Sequence, residues 1–250
     1  MRWRSILLPL IPLFGITLLS EVAVRTGRIP AFLLPAPSRV FGVIAEDRAA
    51  FIQAFTETAE ASALGFLVSV AAGLVFALAL SWSRIVKAMF YPYAIFFQTV
   101  PIIAIAPILV IWLGYGMPTV IASAFIVSVF PVIANSVAGL LSTEPALLDF
   151  FRLIGASPAQ TLLRLRFPAA LPQIFAGFEI ASGLAVIGAI VGEFISGSGL
   201  GGMVDVARNQ QRVDRVFAAV LLASVLGVLF YAVISLLNRL AIRRPGGVRT

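Results

Sequence analysis

The sequence predicts an all-α, polytopic membrane protein with about six transmembrane helices. Three observations carry that reading. Of 250 residues, 60% are apolar and only 12% are charged, against roughly 25% charged in soluble domains. Mean hydropathy is +1.05. The apolar residues fall in runs of the ~20 residues that a helix needs to cross a ~30 Å hydrocarbon core. A soluble chain of this length could not cover so much apolar side chain, because more than half of its surface still faces water. Cysteine and histidine are absent. That excludes disulfide frameworks, thiolate or imidazole metal sites, and nucleophilic catalysis built on either residue. The net charge is +7. The basic residues lie mostly between or beyond the apolar runs, which fits orientation in a bilayer better than nucleic-acid binding.

The chain reads as one domain over 1–250, without a linker, low-complexity tract or internal repeat. Six runs are expected to span, at 6–24, 63–82, 89–113, 118–141, 169–195 and 216–240. Arg2 and Arg4 precede the first run in the manner of a signal peptide. Glu21-Val22-Ala23 is a poor cleavage site, so an uncleaved helix is expected. Residues 25–62 form a long connection with Pro30, Pro35 and Pro37. Its mixed stretch from Ser38 to Thr58 fits an interfacial helix leading into the second span. Pro92, Pro101 and Pro107 interrupt the third run. The backbone carbonyls they free must find protein or water, which favours an interior position near a pathway. Gly114-Tyr115-Gly116-Met117 reads as a tight hairpin into the fourth run, which contains Pro131.

The fifth run is rich in small residues, with Ala176, Gly177, Ala181, Gly183, Ala185, Gly188 and Ala189. Such residues let helices approach closely. Ser196 to Gly202 looks superficially like a phosphate loop, but it lacks the closing Lys-Ser/Thr and follows a span, so a flexible outer turn is expected instead. With the N-terminus inside, eleven Lys and Arg residues lie on the cytoplasmic side and seven outside. Arg239, Arg243, Arg244 and Arg249 supply the C-terminal share. Both termini are therefore expected to be cytoplasmic.

The connection at 142–168 carries the strongest signal. Ser142 or Thr143 can cap a helix whose first turn holds Glu144 and Pro145. That helix is expected to run through Asp149, Phe150, Phe151 and Arg152 to Ile154. Gly155 permits a left-handed stop. After Ala156, Ser157 caps a second short helix with Pro158 at its first position, ending near Arg166 before Pro168. Both helices present apolar groups: Leu147, Leu148, Phe150 and Phe151 in one, Leu162, Leu163 and Leu165 in the other. Such a bent element suits docking to a partner, although on its residues alone a helix lying on lipid headgroups is the favoured reading.

This segment resembles the loop that marks permease subunits of bacterial binding-protein-dependent ABC importers. That pattern reads Glu-Ala-Ala, three residues, Gly, nine residues, Ile, one residue, Leu-Pro. Here Asp149-Phe150-Phe151, Gly155, Leu165 and Phe167-Pro168 take those places with the spacing kept. Asp stands for Glu, two Phe for two Ala, Leu for Ile, and Phe for Leu. The resemblance covers about 60–240. Gln98-Thr99-Val100-Pro101 through Ala106-Pro107 and Trp112 to Gly116 look like the third span of one subgroup. Phe130-Pro131 to Asn135 and Gly139 look like its fourth span. Val191-Gly192-Glu193-Phe194 and Gly199-Leu200-Gly201 look like its fifth span and following loop. That subgroup imports nitrate, sulfonates, taurine, thiamine-precursor pyrimidines or riboflavin. The run from Val186 to Phe194 is closer to its pyrimidine-precursor and riboflavin branch.

The resemblance implies a transport subunit of the bacterial cytoplasmic (inner) membrane rather than an enzyme. It implies a second permease copy, most simply a homodimer, two ABC ATPase subunits, and a periplasmic or extracellular solute-binding protein. The 142–168 loop would lie in a groove of the ATPase and transmit its closure. The chain itself would carry no cofactor. ATP and Mg would belong to the ATPase. The candidate pathway or interface residues are Gln98, Pro101, Asn135, Glu179 and Glu193. A carboxylate such as Glu179 within a span costs at least ~2.5 kcal/mol on insertion scales, so it should face protein, water or a partner. A neutral Glu179 bonded to a neighbouring helix satisfies the same requirement. Glu193 matches the acidic position of the family's fifth-span motif, or else it reaches the headgroups. Gln98 and Asn135 suit substrate contact or interhelical hydrogen bonding. An intramembrane protease lacks its histidine or its acidic pair. A self-contained ion-coupled transporter or channel leaves the 142–168 loop unexplained.

Overall fold

The computed structural model describes residues 2–82 and 84–242. Arg243, Arg244 and Arg249, counted above for orientation, lie outside the described residues. The regular structure of the described residues is all helical: α1 (Arg2–Arg25), α2 (Pro37–Glu46), α3 (Arg48–Trp82), α4 (Arg84–Thr99), α5 (Ile102–Leu113), α6 (Met117–Leu141), α7 (Pro145–Leu153), α8 (Pro158–Thr161), a π-helical turn (Leu162–Arg166), α9 (Phe167–Ser196), α10 (Gly199–Asn209) and α11 (Val213–Ile242).

Among the described residues four helices are long and apolar enough to cross a membrane, at Arg48–Trp82, Met117–Leu141, Pro158–Ser196 and Val213–Ala241. The all-α polytopic architecture is as expected, and the count of six is looser. The third expected span is two helices. Pro101 has no N–H to donate and disfavours helical backbone at Val100, so α4 stops at Thr99 and α5 restarts at Ile102. The second span begins at residue 48, not 63. Its 35 residues make a rod about 52 Å long, well beyond one bilayer core. Much of the stretch from Ser38 to Thr58 is therefore the first turns of α3. The Gly114 to Met117 hairpin forms as expected, with φ of +81° at Gly114 and +95° at Gly116.

α6 is the centre of the bundle, packed between α3 and α9. Small residues set those approaches. A Cβ at Gly65 would collide with the Ala124 side chain, and one at Gly73 would lie 2.6 Å from Val132. On the other side, a Cβ at Gly177 would lie 2.8 Å from Asn135, and one at Gly188 2.7 Å from the Ser123 carbonyl. Close backbone contact maximises dispersion where lipid offers no hydrophobic contrast. Gly183, by contrast, faces open space. Ser69 Oγ lies 2.7 Å from Ser128 Oγ and donates to the Phe125 carbonyl, pinning α3 to α6. Ala77, Leu80, Val137, Leu140, Ala170 and Ile174 fill the core toward the 142–168 loop. At the opposite end Val43, Phe51, Ala218 and Ala219 join α2, α3 and α11.

The segment after α9 is not a flexible turn. Gly197 takes φ +77° and Gly199 φ +56°, and α10 begins at once. Gly199, Leu200, Gly201 and Gly202 are buried.

Candidate functional site

The 142–168 loop forms a bent pair of helices at one end of the bundle. α7 starts at Pro145 with Glu144 as its N-cap residue. The expected caps do other things. Ser142 Oγ turns back to the Gly139 carbonyl at 2.9 Å, and Thr143 Oγ1 is buried without a partner. Proline at the first position pre-sets φ and removes one orphan donor, so no side-chain cap is needed. At the other end, Gly155 adopts φ +68°. Ala156 N donates to the Phe151 carbonyl and Gly155 N to the Arg152 carbonyl, both at 3.0 Å. This paired closure is the Schellman stop that the glycine predicts. Ser157 caps α8 as expected. Gln160 N donates to Ser157 Oγ at 3.2 Å, and Ser157 N donates to Gln160 Oε1 at 2.9 Å. That capping box was legible in the Ser-x-x-Gln spacing.

The second helix does not end before Pro168. It runs through the π-helical turn into α9, and Phe167 N donates to the Leu162 carbonyl five residues back. The wider turn accommodates a proline that an α-helical ladder would expel, so Pro168 sits in a continuous rod. Leu165 is half-buried within that turn, and Pro168 is exposed. Asp149 pairs with Arg152 at 2.8 Å, both well exposed. Phe150 and Phe151 meet edge to face, with ring centroids 6.2 Å apart. The outward face of α7 carries Leu147, Phe150, Leu153 and Ile154. Leu153 is 86% exposed. A residue spacing of three and four lines them up on one side.

Glu193 is the most enclosed carboxylate among the described residues, 1% exposed. Its Oε2 accepts from Thr58 Oγ1 and from Gly201 N, each at 2.9 Å. Thr58 Oγ1 accepts from Leu200 N at 3.0 Å, and Gly199 N donates to Glu57 Oε2 at 3.1 Å. The first N–H groups of α10 are thus held by α3 and α9 side chains. A helix N-terminus stabilises a carboxylate through orphan donors and the helix dipole. Gly199 rests directly against the Glu193 carboxylate, and a Cβ at Gly201 would collide with the Ile190 carbonyl. The same N–H groups would be needed to cradle a phosphate, and this chain's own side chains occupy them. Glu57 and Thr58 were missed by sequence reasoning. They lie in a mixed polar and apolar stretch, with Gln53, Thr56, Glu60 and Ser62 around them, and nothing local sets them apart.

The other candidates do not converge on this cluster. Glu179 Oε1 accepts from Asn238 Nδ2 at 2.7 Å, with Tyr231 Oη 3.5 Å from its other oxygen, so it bonds to α11. Asn135 Nδ2 donates to the Pro131 carbonyl one turn back, at 2.9 Å. Gln98 and Pro101 lie exposed at the break between α4 and α5. Among the described residues no group of His, Cys, Asp or Glu is placed to hold a metal ion.

Comparison with known proteins identifies the family. The model described as "Binding-protein-dependent transport system inner membrane component" matches residues 69–244. A probable ABC transporter permease protein of Haemophilus influenzae is 36% identical over 94% of this chain and 96% of its own length. The formylaminopyrimidine transport permease protein ThiX of Halalkalibacterium halodurans is 33% identical over 88% of each chain. The riboflavin transport system permease protein RibX of Chloroflexus aurantiacus is 28% identical over 97% of this chain and 91% of its own. The fold is shared with a solved chain of the MetNI methionine ABC transporter in an inward-facing conformation, with a TM-score of 0.66, 20% identity, and coverage of 79% of this chain and 98% of that one. The chain belongs to the binding-protein-dependent transport system inner membrane component family, as a permease subunit of an ABC importer.

Proposed function

We propose that the chain forms one half of a dimeric substrate pathway in the bacterial cytoplasmic membrane and is driven by a separate ATPase that docks on the 142–168 loop. The apolar face of α7 carries this reading. Leu147, Phe150, Leu153 and Ile154 lie side by side, and nothing in the described chain covers them. Apolar anchors with a polar rim are what a helix-in-groove contact requires. Asp149, Phe150 and Phe151 supply the first half of the contact, and Ala156, Ser157 and Pro158 the start of the second. Gly155 holds the bend. Leu165 and Pro168 belong to the turn through which a push on the loop reaches α9, and α9 packs along α6. ATP and Mg bind the partner, and a solute-binding protein delivers substrate to the opposite face. A self-contained transporter would leave the α7 face idle. Its natural coupling group, Glu179, is engaged by Asn238.

The preferred cargo is a small organic solute of the pyrimidine thiamine-precursor or riboflavin kind, ahead of sulfonate, taurine or nitrate. ThiX and RibX are named for such cargo and align over most of this chain, whereas the putative aliphatic sulfonates permease SsuC of Bacillus subtilis aligns over 71%. The test is co-purification in mild detergent from the native host, followed by mass spectrometry. An ATPase recovered with the wild type and lost with Phe150→Glu plus Leu153→Glu, in protein that still inserts, supports the docking. Intact protein without an ATPase, under conditions that preserve a reference ABC complex, overturns it. The accompanying binding protein is then screened against both cargo classes.

A further inference from the structure

Three cavities adjoin where the 142–168 loop meets the ends of α3, α4 and α6. The largest, of 560 Å³, is an apolar groove between α3, α4 and the end of α6. Leu80, Ala88, Tyr91, Pro92 and Leu141 line it, and Lys87 is its one charged lining residue. The Lys87 ammonium lies 5.5 Å from the Tyr91 ring centroid. Ser81 and Leu141 are shared with a second cavity of 460 Å³, walled also by Trp82, Thr143, Arg152 and Arg166. A third, of 370 Å³, shares both arginines and continues under α8. An apolar groove therefore opens into a basic crevice.

No carboxylate lines the crevice. Arg166 Nε and Thr143 Oγ1 are both shut off from solvent and have no hydrogen-bond partner. Arg152 gives one N–H to Asp149, and that carboxylate does not line any of the three cavities. Two arginines line the crevice and no carboxylate does, so an anionic group from outside the chain fits here. Trp82, 69% exposed at the end of α3, marks the level of the membrane interface.

We propose that this composite site binds an anionic phospholipid. Its phosphodiester lies in the crevice against the Arg152 and Arg166 side chains, while Lys87 complements its charge from the groove. One acyl chain lies along Leu80, Tyr91, Pro92 and Leu141. A free phosphate or a partner's carboxylate would satisfy the arginines but leave the apolar groove unfilled. An amphiphile satisfies both. Basic pockets between spans are established headgroup sites in general. The proposal needs only that the chain sits in a bilayer, so it stands or falls apart from the ATPase docking above.

The test uses the full chain in detergent with whatever subunits co-purify, stripped of lipid. Phosphatidylglycerol or phosphatidylcholine of identical acyl chains is added back, and retained lipid is counted by native mass spectrometry. Phosphatidylglycerol should be retained at least tenfold over phosphatidylcholine. Arg166→Gln and Lys87→Gln should each lower that retention about fivefold, the effect of one basic side chain at an anionic surface. Arg208→Gln, on α10 at the far end of α9, should leave it unchanged. Lys87→Gln keeps the test decisive if Arg166→Gln fails to fold. Equal retention of the two lipids overturns the proposal. So does wild-type retention in the folded variants, or displacement by inorganic phosphate at equal concentration. Crosslinking of an ATPase carboxylate into the crevice with phosphatidylglycerol excluded overturns it as well.

Discussion

Glu193 is a charged residue type placed where neither water nor lipid reaches it, and its partners explain how it is tolerated. Two donors converge on Oε2, and one of them is the Gly201 N–H of the first turn of α10. Glu193→Ala leaves that N–H buried and unpaired, at about 1–3 kcal/mol, and opens a void. Glu193→Gln keeps an acceptor oxygen in the same place and should cost about 1 kcal/mol or less. Unfolding in mixed micelles, followed by fluorescence of the three tryptophans, orders the two variants. A smaller loss for the alanine variant than for the glutamine variant would refute the network's role. The glycines differ just as sharply. Gly201→Ala forces a Cβ into the Ile190 carbonyl and should lower Tm and yield, whereas Gly183→Ala enters open space and should be neutral. Glu193 could be singled out from its local motif, but Glu57 and Thr58 could not. Thr58 lies 135 residues from Glu193 and 142 from Leu200, and no local pattern encodes that pairing. The four glycines between 197 and 202 look flexible in a sequence, because what fixes them is tertiary: Gly199, Gly201 and Gly202 have no room for a Cβ, and Gly197 is held at φ +77°.

Elements show the same division between local and tertiary causes. The stop of α7 at Gly155, the Ser157 cap and the Gly114 to Met117 hairpin depend on residues within one turn of each other, and each forms as the sequence predicts. The early start of α3 and the continuity through Pro168 lie beyond what the local pattern predicts. A proline signals that the α-ladder is interrupted, but its local context does not say whether the chain breaks or widens. At Val100-Pro101 it breaks, and at Arg166 to Pro168 it widens into a π turn. The bend at Gly155 gives the sharpest test of the loop. No atom lies within 4 Å of a Cβ built there, so substitution acts through backbone strain alone. Gly155→Val places a β-branched residue at φ +68°, at about 1–2 kcal/mol. Asn tolerates that region, so Gly155→Asn should retain the bend. Membrane insertion should survive in both variants. Uptake and ATPase co-purification should fall in the valine variant only. Full uptake with Gly155→Val would remove the bend from the mechanism.

At the scale of the whole molecule, topology decides which face each cluster serves. The loop end carries Lys87, Arg152, Arg164 and Arg166, and the α10 end carries Arg208, Arg212 and Arg215, several of them paired with Asp205, Asp214 and Asp47. An excess of Lys and Arg on the cytoplasmic side is what orients a membrane chain, acids contributing little, and eleven of the eighteen are assigned to the side of the 142–168 loop. The proposed orientation therefore puts the α7 face inside and the Glu193 and α10 cluster outside. α9 alone separates the two by 30 residues, about 45 Å along its axis. The absence of cysteine makes this directly measurable, because any single introduced thiol is unique. Leu153→Cys and Gln210→Cys occupy exposed positions at opposite ends. A membrane-impermeant maleimide should label residue 210 in intact cells from which any outer membrane has been stripped, and residue 153 only after the inner membrane is permeabilised. The reverse pattern would put the α7 face outside, away from any ATPase. It would also transfer the Glu193 cluster to the cytoplasm, where a solute-binding protein could not reach it.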